Sequence, residues 1–242
     1  MENEIIYGIR PIIEAMRANV KIEKVWLLKN KKNRLFKEVE DYASKKKIDI
    51  IFTSNKKLDK LSKKNHQGAA ALIEQIQYCK FETLLEKNFK KEKEIYLLID
   101  GVTDVRNFGA SFRNSLATGI DGIVVPESNS ATIKSDTIKA SVGAVFYIPI
   151  SKVSHLNDAI YEFKSRGFEV VGLEEKSSKN IFDERFNKKT VLILGSEGKG
   201  INKSTLNVVD KKVSIPMEGE IKSLNVSVAC GISLYHITKN LS

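Results

Sequence analysis

Cysteine is nearly absent from this 242-residue chain, with Cys79 and Cys230 as its whole complement. They lie far apart and outside any C-x-x-C spacing, which excludes a disulfide framework and a cysteine-rich zinc site and fits a reducing cytoplasm. Histidine is equally sparse: His66, His155 and His236 form no metal-spaced set, so no metal is expected. No apolar run approaches the roughly 20 residues of a membrane span. The opening MENEIIYGIR carries acidic residues where a secretory signal carries basic ones, so neither a membrane partner nor export is expected. The single tryptophan, Trp26, sits in an apolar run, where core is the simpler expectation than a base-stacking platform.

What the chain does have is a hydrophobic content of 42% and a net charge of +10 that is unevenly spread. That content suffices for two ordinary cores without a staple. Residues 1–93 hold 22 basic against 13 acidic residues, a net of +9, whereas residues 94–242 hold 18 against 17, a net of +1. Most of the excess lies in residues 21–64, with 15 basic residues against 6 acidic ones. A basic module joined to a near-neutral one points to one part gripping a polyanion while the other does different work. Lysine-rich surface drift is the plain alternative.

Apolar patterning divides the chain at the same place. Pro11 opens a first helix and residues 25–28 read as a short buried strand, followed by a lysine-rich helix at 33–46 and a strand at 48–52. Ser54 is placed to cap a short helix carrying Leu58 and Leu61, before a strand at 69–73. Residues 1–76 thus form a compact α/β module, and the charged, weakly amphipathic stretch 77–94 reads as a linker or connecting helix. From 95 to 242 strands are expected at 95–100, 122–125, 145–150, 168–172, 190–194 and 212–215. Helices at 108–118, 155–166 and 224–239 separate several of them. This alternation implies a mainly parallel sheet covered on both faces, with ligands at the carboxyl ends of its strands.

Three segments at such ends carry candidate chemistry. In the first, Asn107, Gly109 and Arg113 lie on a turn and the start of a helix, where a capping Asn and a solvated Arg are an equally good reading. The second, LILGSEGKGI, leaves a buried strand with Gly195, Gly198, Gly200 and Glu197. Ile193 and Gly200 break the P-loop pattern, and the glycine spacing breaks the dinucleotide fingerprint. Such a loop can still present backbone groups to a nucleoside. The third, IPMEGEIKSLNVSVACGI, has Pro216 stopping a strand, Gly219 in a loop, and Ser223 as the expected cap of a last helix that is apolar on nearly every side. Asn225 and Ser227 would be polar groups in tight packing and need partners.

Taken together, these segments resemble the SpoU/TrmH family of RNA ribose 2′-O-methyltransferases, of the SPOUT class. N-x-G-x-x-x-R falls on Asn107, Gly109 and Arg113, and L-G-x-E-x-x-G on Leu194, Gly195, Glu197 and Gly200. I-P-M-x-G-x-x-x-S-L-N-V-S-x-A runs unbroken from Ile215 to Ala229. The front module, through Tyr7-Gly-Ile, Glu14-Ala and His66-Gln-Gly, is similar to the substrate-binding domain of the branch that modifies a guanosine in large-subunit rRNA. The resemblance implies a trefoil-knotted, parallel-sheet catalytic domain preceded by a small α/β, ribosomal-protein-like domain, in a homodimer. It implies S-adenosyl-L-methionine as methyl donor, held by Gly195, Ile215, Leu224 and Met217, and 23S rRNA as partner. Arg113, Asn107, Glu197, Ser223 and Asn225 take the catalytic roles, and because a guanidinium almost never loses its proton, Arg113 is read as an electrostatic stabiliser. One departure is Gly101, where relatives often carry Pro. A tRNA substrate, or a catalytically silent RNA-binding assembly factor, are the alternatives.

Overall fold

The computed structural model of the chain describes residues 3–87, 91–221 and 223–241. Residues 88–90 of the expected linker and Lys222 of the third motif lie outside these. In chain order the elements are β1 (Asn3–Tyr7), α1 (Ile9–Arg17), β2 (Ile22–Leu28), α2 (Arg34–Lys46), β3 (Asp49–Thr53), α3 (Asn55–Leu61) and β4 (Ala69–Glu74). There follow α4 (Phe81–Glu86), β5 (Glu94–Asp100), α5 (Val105–Thr118), β6 (Gly122–Pro126), α6 (Ser135–Ala140), β7 (Ile150–Val153) and α7 (Leu156–Ser165). The chain closes with β8 (Glu169–Leu173), β9 (Lys189–Gly195), α8 (Lys203–Leu206), β10 (Lys211–Val213) and α9 (Val226–Lys239). Two compact units result: Met1–Gln77 with Thr132–Tyr147, and Tyr78–Ala131 with Ile148–Ser242.

In the first unit the strands order as β1-β4-β2-β3, antiparallel except for the β2–β3 pair. Helix α1 starts in a turn that tolerates Pro11, and its Ile9, Ile12, Ile13 and Met16 are buried at helical spacing. Asn33 caps α2, its side chain accepting from the Phe36 N–H at 3.0 Å, and sends Phe36, Val39 and Ala43 inward. The lysines of α2 stay outside. Ser54 does stand at the cap position of α3 but makes no side-chain capping bond. Trp26, expected in the core, is only half-buried.

The segment Thr132–Tyr147 belongs to this unit although it lies among residues read as the second module. The Tyr7 hydroxyl and Lys64 both donate to Asp136, Lys139 donates to Gln67 Oε1 at 2.8 Å, and the Tyr147 hydroxyl donates to Glu14 Oε2 at 2.7 Å. Where a strand was expected at 145–150, Ala144–Phe146 form a 3-10 turn entered through Gly143 at φ 85°, and pairing begins only at Ile150. Pro149 has no N–H to give a ladder, so the strand cannot start earlier.

In the second unit the strands among the described residues order as β10-β8-β9-β5-β6-β7, every pair parallel. All of β5 is buried, as is nearly all of β9, which is why both read as unbroken apolar runs. Alternation sends Tyr96, Leu98, Val191 and Ile193 into one cluster with Ile160 and Phe163 of α7 and with Leu84 and Leu85 of α4. Residues 78–86 are therefore core material of this unit rather than a free linker: two leucines face inward, and the Cys79 N–H donates to the Ile150 carbonyl at 2.9 Å. Helix α9 packs on α5 and β9, tied by Asn114 Nδ2 donating to the Ser227 carbonyl at 2.6 Å.

Candidate functional site

The carboxyl ends of β8 and β9 and the segments after β9 and β10 enclose a cavity of about 490 Å³, the size of a small-molecule site. Gly195, Glu197, Ile215, Met217, Ser223, Leu224 and Asn225 all line it. The chain must turn sharply there. A Cβ on Gly195 would stand 2.0 Å from the carbonyl carbon of Gly200 and 2.1 Å from the Ile201 nitrogen, so only glycine lets the end of β9 pass this backbone. Mutual bonds between Ser196 and Gly200, at 2.9 and 3.0 Å, close the turn and leave Glu197 exposed on it.

Three of the five expected catalytic side chains meet at the rim. Asn107 Nδ2 donates to Glu197 Oε1 at 2.7 Å, and Asn225 Nδ2 donates both to the same oxygen at 3.0 Å and to Asn107 Oδ1 at 2.9 Å. Each is held by backbone rather than by burial. Asp104, not Asn107, caps α5, accepting from the Arg106 and Asn107 N–H groups at 2.9 Å, so Asn107 is fixed in the first turn. Asn225, not Ser223, caps α9, accepting from the Ser227 N–H at 2.9 Å and the Ser227 hydroxyl at 2.6 Å. The helix begins two residues later than expected because the amide of Asn225 satisfies its free N–H groups. Ser223 is exposed and lines the cavity without joining the cluster.

Arg113 is not brought to the cluster. It is exposed on α5, pairs with no described residue, and lies six residues from Asn107, hence about 9 Å along the axis and on another side of the helix. The sequence reading also missed part of the cavity. Leu173, Glu174, Glu175 and Lys176, at the end of β8, line it as well. The rule that ligands sit at carboxyl strand ends applied to β8 as much as to its neighbours, and the Glu-Glu pair after an apolar strand was the available signal. The Glu pair and Glu197 give the cavity three carboxylates against Lys176 and Lys199, a lining suited to a ligand with cationic groups.

A family model described as SpoU rRNA Methylase family matches residues 94–235, and one described as RNA 2′-O ribose methyltransferase substrate binding matches residues 5–79. A Staphylococcus aureus (strain COL) protein named as a TrmH family tRNA/rRNA methyltransferase is 33% identical over 238 residues, covering 98% of this chain and 96% of its own. Among solved structures, an AdoMet-bound rRNA methyltransferase from Sinorhizobium meliloti superposes with a TM-score of 0.80 at 23% identity, over 99% of this chain and 88% of that one. A TrmH/SpoU tRNA modifying enzyme of A. aeolicus is 33% identical with a TM-score of 0.56, over 66% of this chain and 81% of its own. Matched over more than half its length by the methylase model and nearly end to end by a relative at 33% identity, the chain belongs to the SpoU rRNA methylase family.

Proposed function

We propose that this protein transfers a methyl group from S-adenosyl-L-methionine to a ribose 2′-hydroxyl of RNA, and that the nucleotide is a guanosine of 23S rRNA. The observation that carries the reading is the convergence of Asn107, Glu197 and Asn225, from three separate segments, on the rim of one cavity. The cavity fits the donor: its backbone-rich walls at Gly195, Ile215 and Leu224 suit an adenosine, and its carboxylates suit a sulfonium and an ammonium. When bound, the donor supplies an activated methyl group.

The remaining work falls to the chain. Glu197 Oε1 is saturated by the two asparagines, which orients Oε2, free of any bond to a described residue, toward an incoming hydroxyl. Holding the reactants in line supplies a large share of the rate. Arg113, exposed and unpaired but on another side of α5 from Asn107, stabilises the phosphate next to the reacting ribose once RNA is bound. The first unit carries the lysine excess and grips the RNA backbone. A second copy packs against the exposed apolar side chains Leu116 of α5 and Val228 and Tyr235 of α9.

The test is methyl transfer from labelled donor into RNA taken from cells lacking the protein, followed by mapping of ribose methylation. Label at one 23S rRNA guanosine is expected. Label in tRNA alone selects the tRNA reading, the substrate class named for the A. aeolicus enzyme. Donor binding with no transfer to any RNA refutes catalysis.

A further inference from the structure

The second unit holds another concavity, of about 410 Å³, over the carboxyl ends of β5, β6 and β7. None of the roles above uses it. Its place is informative, because in sheet order β5 stands at the reversal: the chain steps outward from β5 through β6 to β7, then returns to build β8, β9 and β10 on the far side. Ligands of open α/β sheets bind where strand order reverses, outside the carboxyl ends. The donor cavity occupies one flank of that point. The second concavity occupies the other.

A single loop separates them. Gly101 sits at φ 80°, and a Cβ there would lie 3.5 Å from Ser196 Cβ, beside the donor cavity, and 3.9 Å from the Asn129 carbonyl, on the rim of the second. The wall is rigid. Asp100 is buried, and its carboxylate accepts from the Asn202 N–H at 2.9 Å and from Asn202 Nδ2 at 2.6 Å, pinning the segment after the glycine turn to the end of β5. Four residues beyond Asp100, Asp104 caps the helix that delivers Asn107 to Glu197.

The lining says what the concavity takes. It contains no lysine or arginine, so it is not built for phosphate. Pro126 and Leu156 lie buried beneath its floor, and most of the surface it exposes is polar. Around them stand Ser128, Asn129, Ser154, Asn157 and Asp158, whose side chains make no hydrogen bond to any described residue. Amides that both donate and accept, with a carboxylate that only accepts, suit the edge of a nucleobase carrying adjacent donors and an acceptor, as guanine does. We infer that this concavity binds the base of the nucleotide being methylated, with its ribose crossing Gly101 toward Glu197. This rests on the methyltransferase reading and adds to it where the substrate base sits.

The experiment uses the full chain and the double variant Asn129→Ala/Asn157→Ala, which removes two side chains without internal bonds and should leave the fold intact. Donor affinity by calorimetry is expected within twofold of wild type, while kcat/KM for RNA falls at least tenfold, mainly through KM. On short RNAs bearing the mapped nucleotide, replacing its base by hypoxanthine or by hydrogen should cost the wild type at least tenfold and should cost the variant less than about threefold. A variant equal to wild type within twofold on RNA, or one that discriminates among the bases as strongly as wild type, overturns the inference while leaving the methyltransferase reading in place. A wild-type protein that methylates no RNA removes both.

Discussion

Asn225 performs two separable tasks, and three substitutions tell them apart. Its Oδ1 caps α9, and its Nδ2 bridges Asn107 and Glu197. Asn225→Ala loses both: removing such a cap costs about 1 kcal/mol, which for a chain of this size lowers Tm by about 2–4 °C. Asn225→Ser keeps a capping oxygen and loses the bridging donor, so its Tm should stay within about 2 °C of wild type while methyl transfer falls. Asn225→Asp keeps the cap but sets a carboxylate where Nδ2 now stands, 3.0 Å from Glu197 Oε1. Two unit charges at that distance repel by about 1.4 kcal/mol at the dielectric constant of water, the right limit for side chains this exposed, and the helix dipole returns about 0.3–1 kcal/mol. Stability should therefore change little, whereas Glu197 is pushed from its place and methyl transfer drops at least tenfold. Thermal unfolding, donor calorimetry and single-turnover transfer measure the three quantities. An Asp variant that transfers methyl at the wild-type rate, or an Ala variant that melts no earlier than wild type, would refute the assignment.

Gly195→Ala puts a methyl group against backbone on two sides and should weaken donor binding more than tenfold by calorimetry, while Gly198→Ala, in open space at φ 81°, costs only about 1–2 kcal/mol of left-handed strain. Leu84→Ala should destabilise the protein by about 2–5 kcal/mol in denaturant unfolding, because Leu84 is buried in the core of the second unit; a loss below about 1 kcal/mol would return this stretch to a free linker. Burial pushes the Cys230 thiol up to about 12, so a thiol reagent at pH 8 should label it only on unfolding. Because the folded-state value lies above the unfolded one, its contribution to stability is fully present below about pH 9 and fades as pH rises toward 12; a Cys230→Ala comparison across that window should show the difference between the two proteins shrinking as pH rises.

Most of the fold was legible because the second unit is built on buried parallel strands, and Ile95–Ile99 and Val191–Leu194 announce themselves as apolar runs. What escaped was decided by single side chains and by tertiary packing. Asn225 and Ser223 are both good caps by type, and the structure gives the role to Asn225, whose Oδ1 accepts from the Ser227 N–H while its Nδ2 is held by Glu197. The stretch around Leu84 looks polar because its inward face is two residues wide. The helical turns of Thr132–Tyr147 carry too short a pattern to reveal that they pack on β1. The six-residue offset between Asn107 and Arg113 already sets them on different helical stripes in the sequence, and α5 keeps them so.

The candidate site is held by chain ends rather than by a core. Glu197 rides on a turn that only Gly195 permits, Asn107 sits in a first turn fixed by Asp104, and Asn225 is itself a cap. An exposed polar cluster gains little stability from its own hydrogen bonds, since water competes for each of them. Its geometry must therefore come from elements that would be ordered without it, namely β9 and the starts of α5 and α9. The same segments, β9 with its turn and the approach to α9, line the cavity, so under the proposed function the groups that hold the methyl donor and those that position the hydroxyl are fixed by one set of backbone constraints. That shared origin explains why the polar residues of the three motifs can be exposed and still be spatially exact: their positions are set by where helices begin and where a strand must turn, which burial does not control.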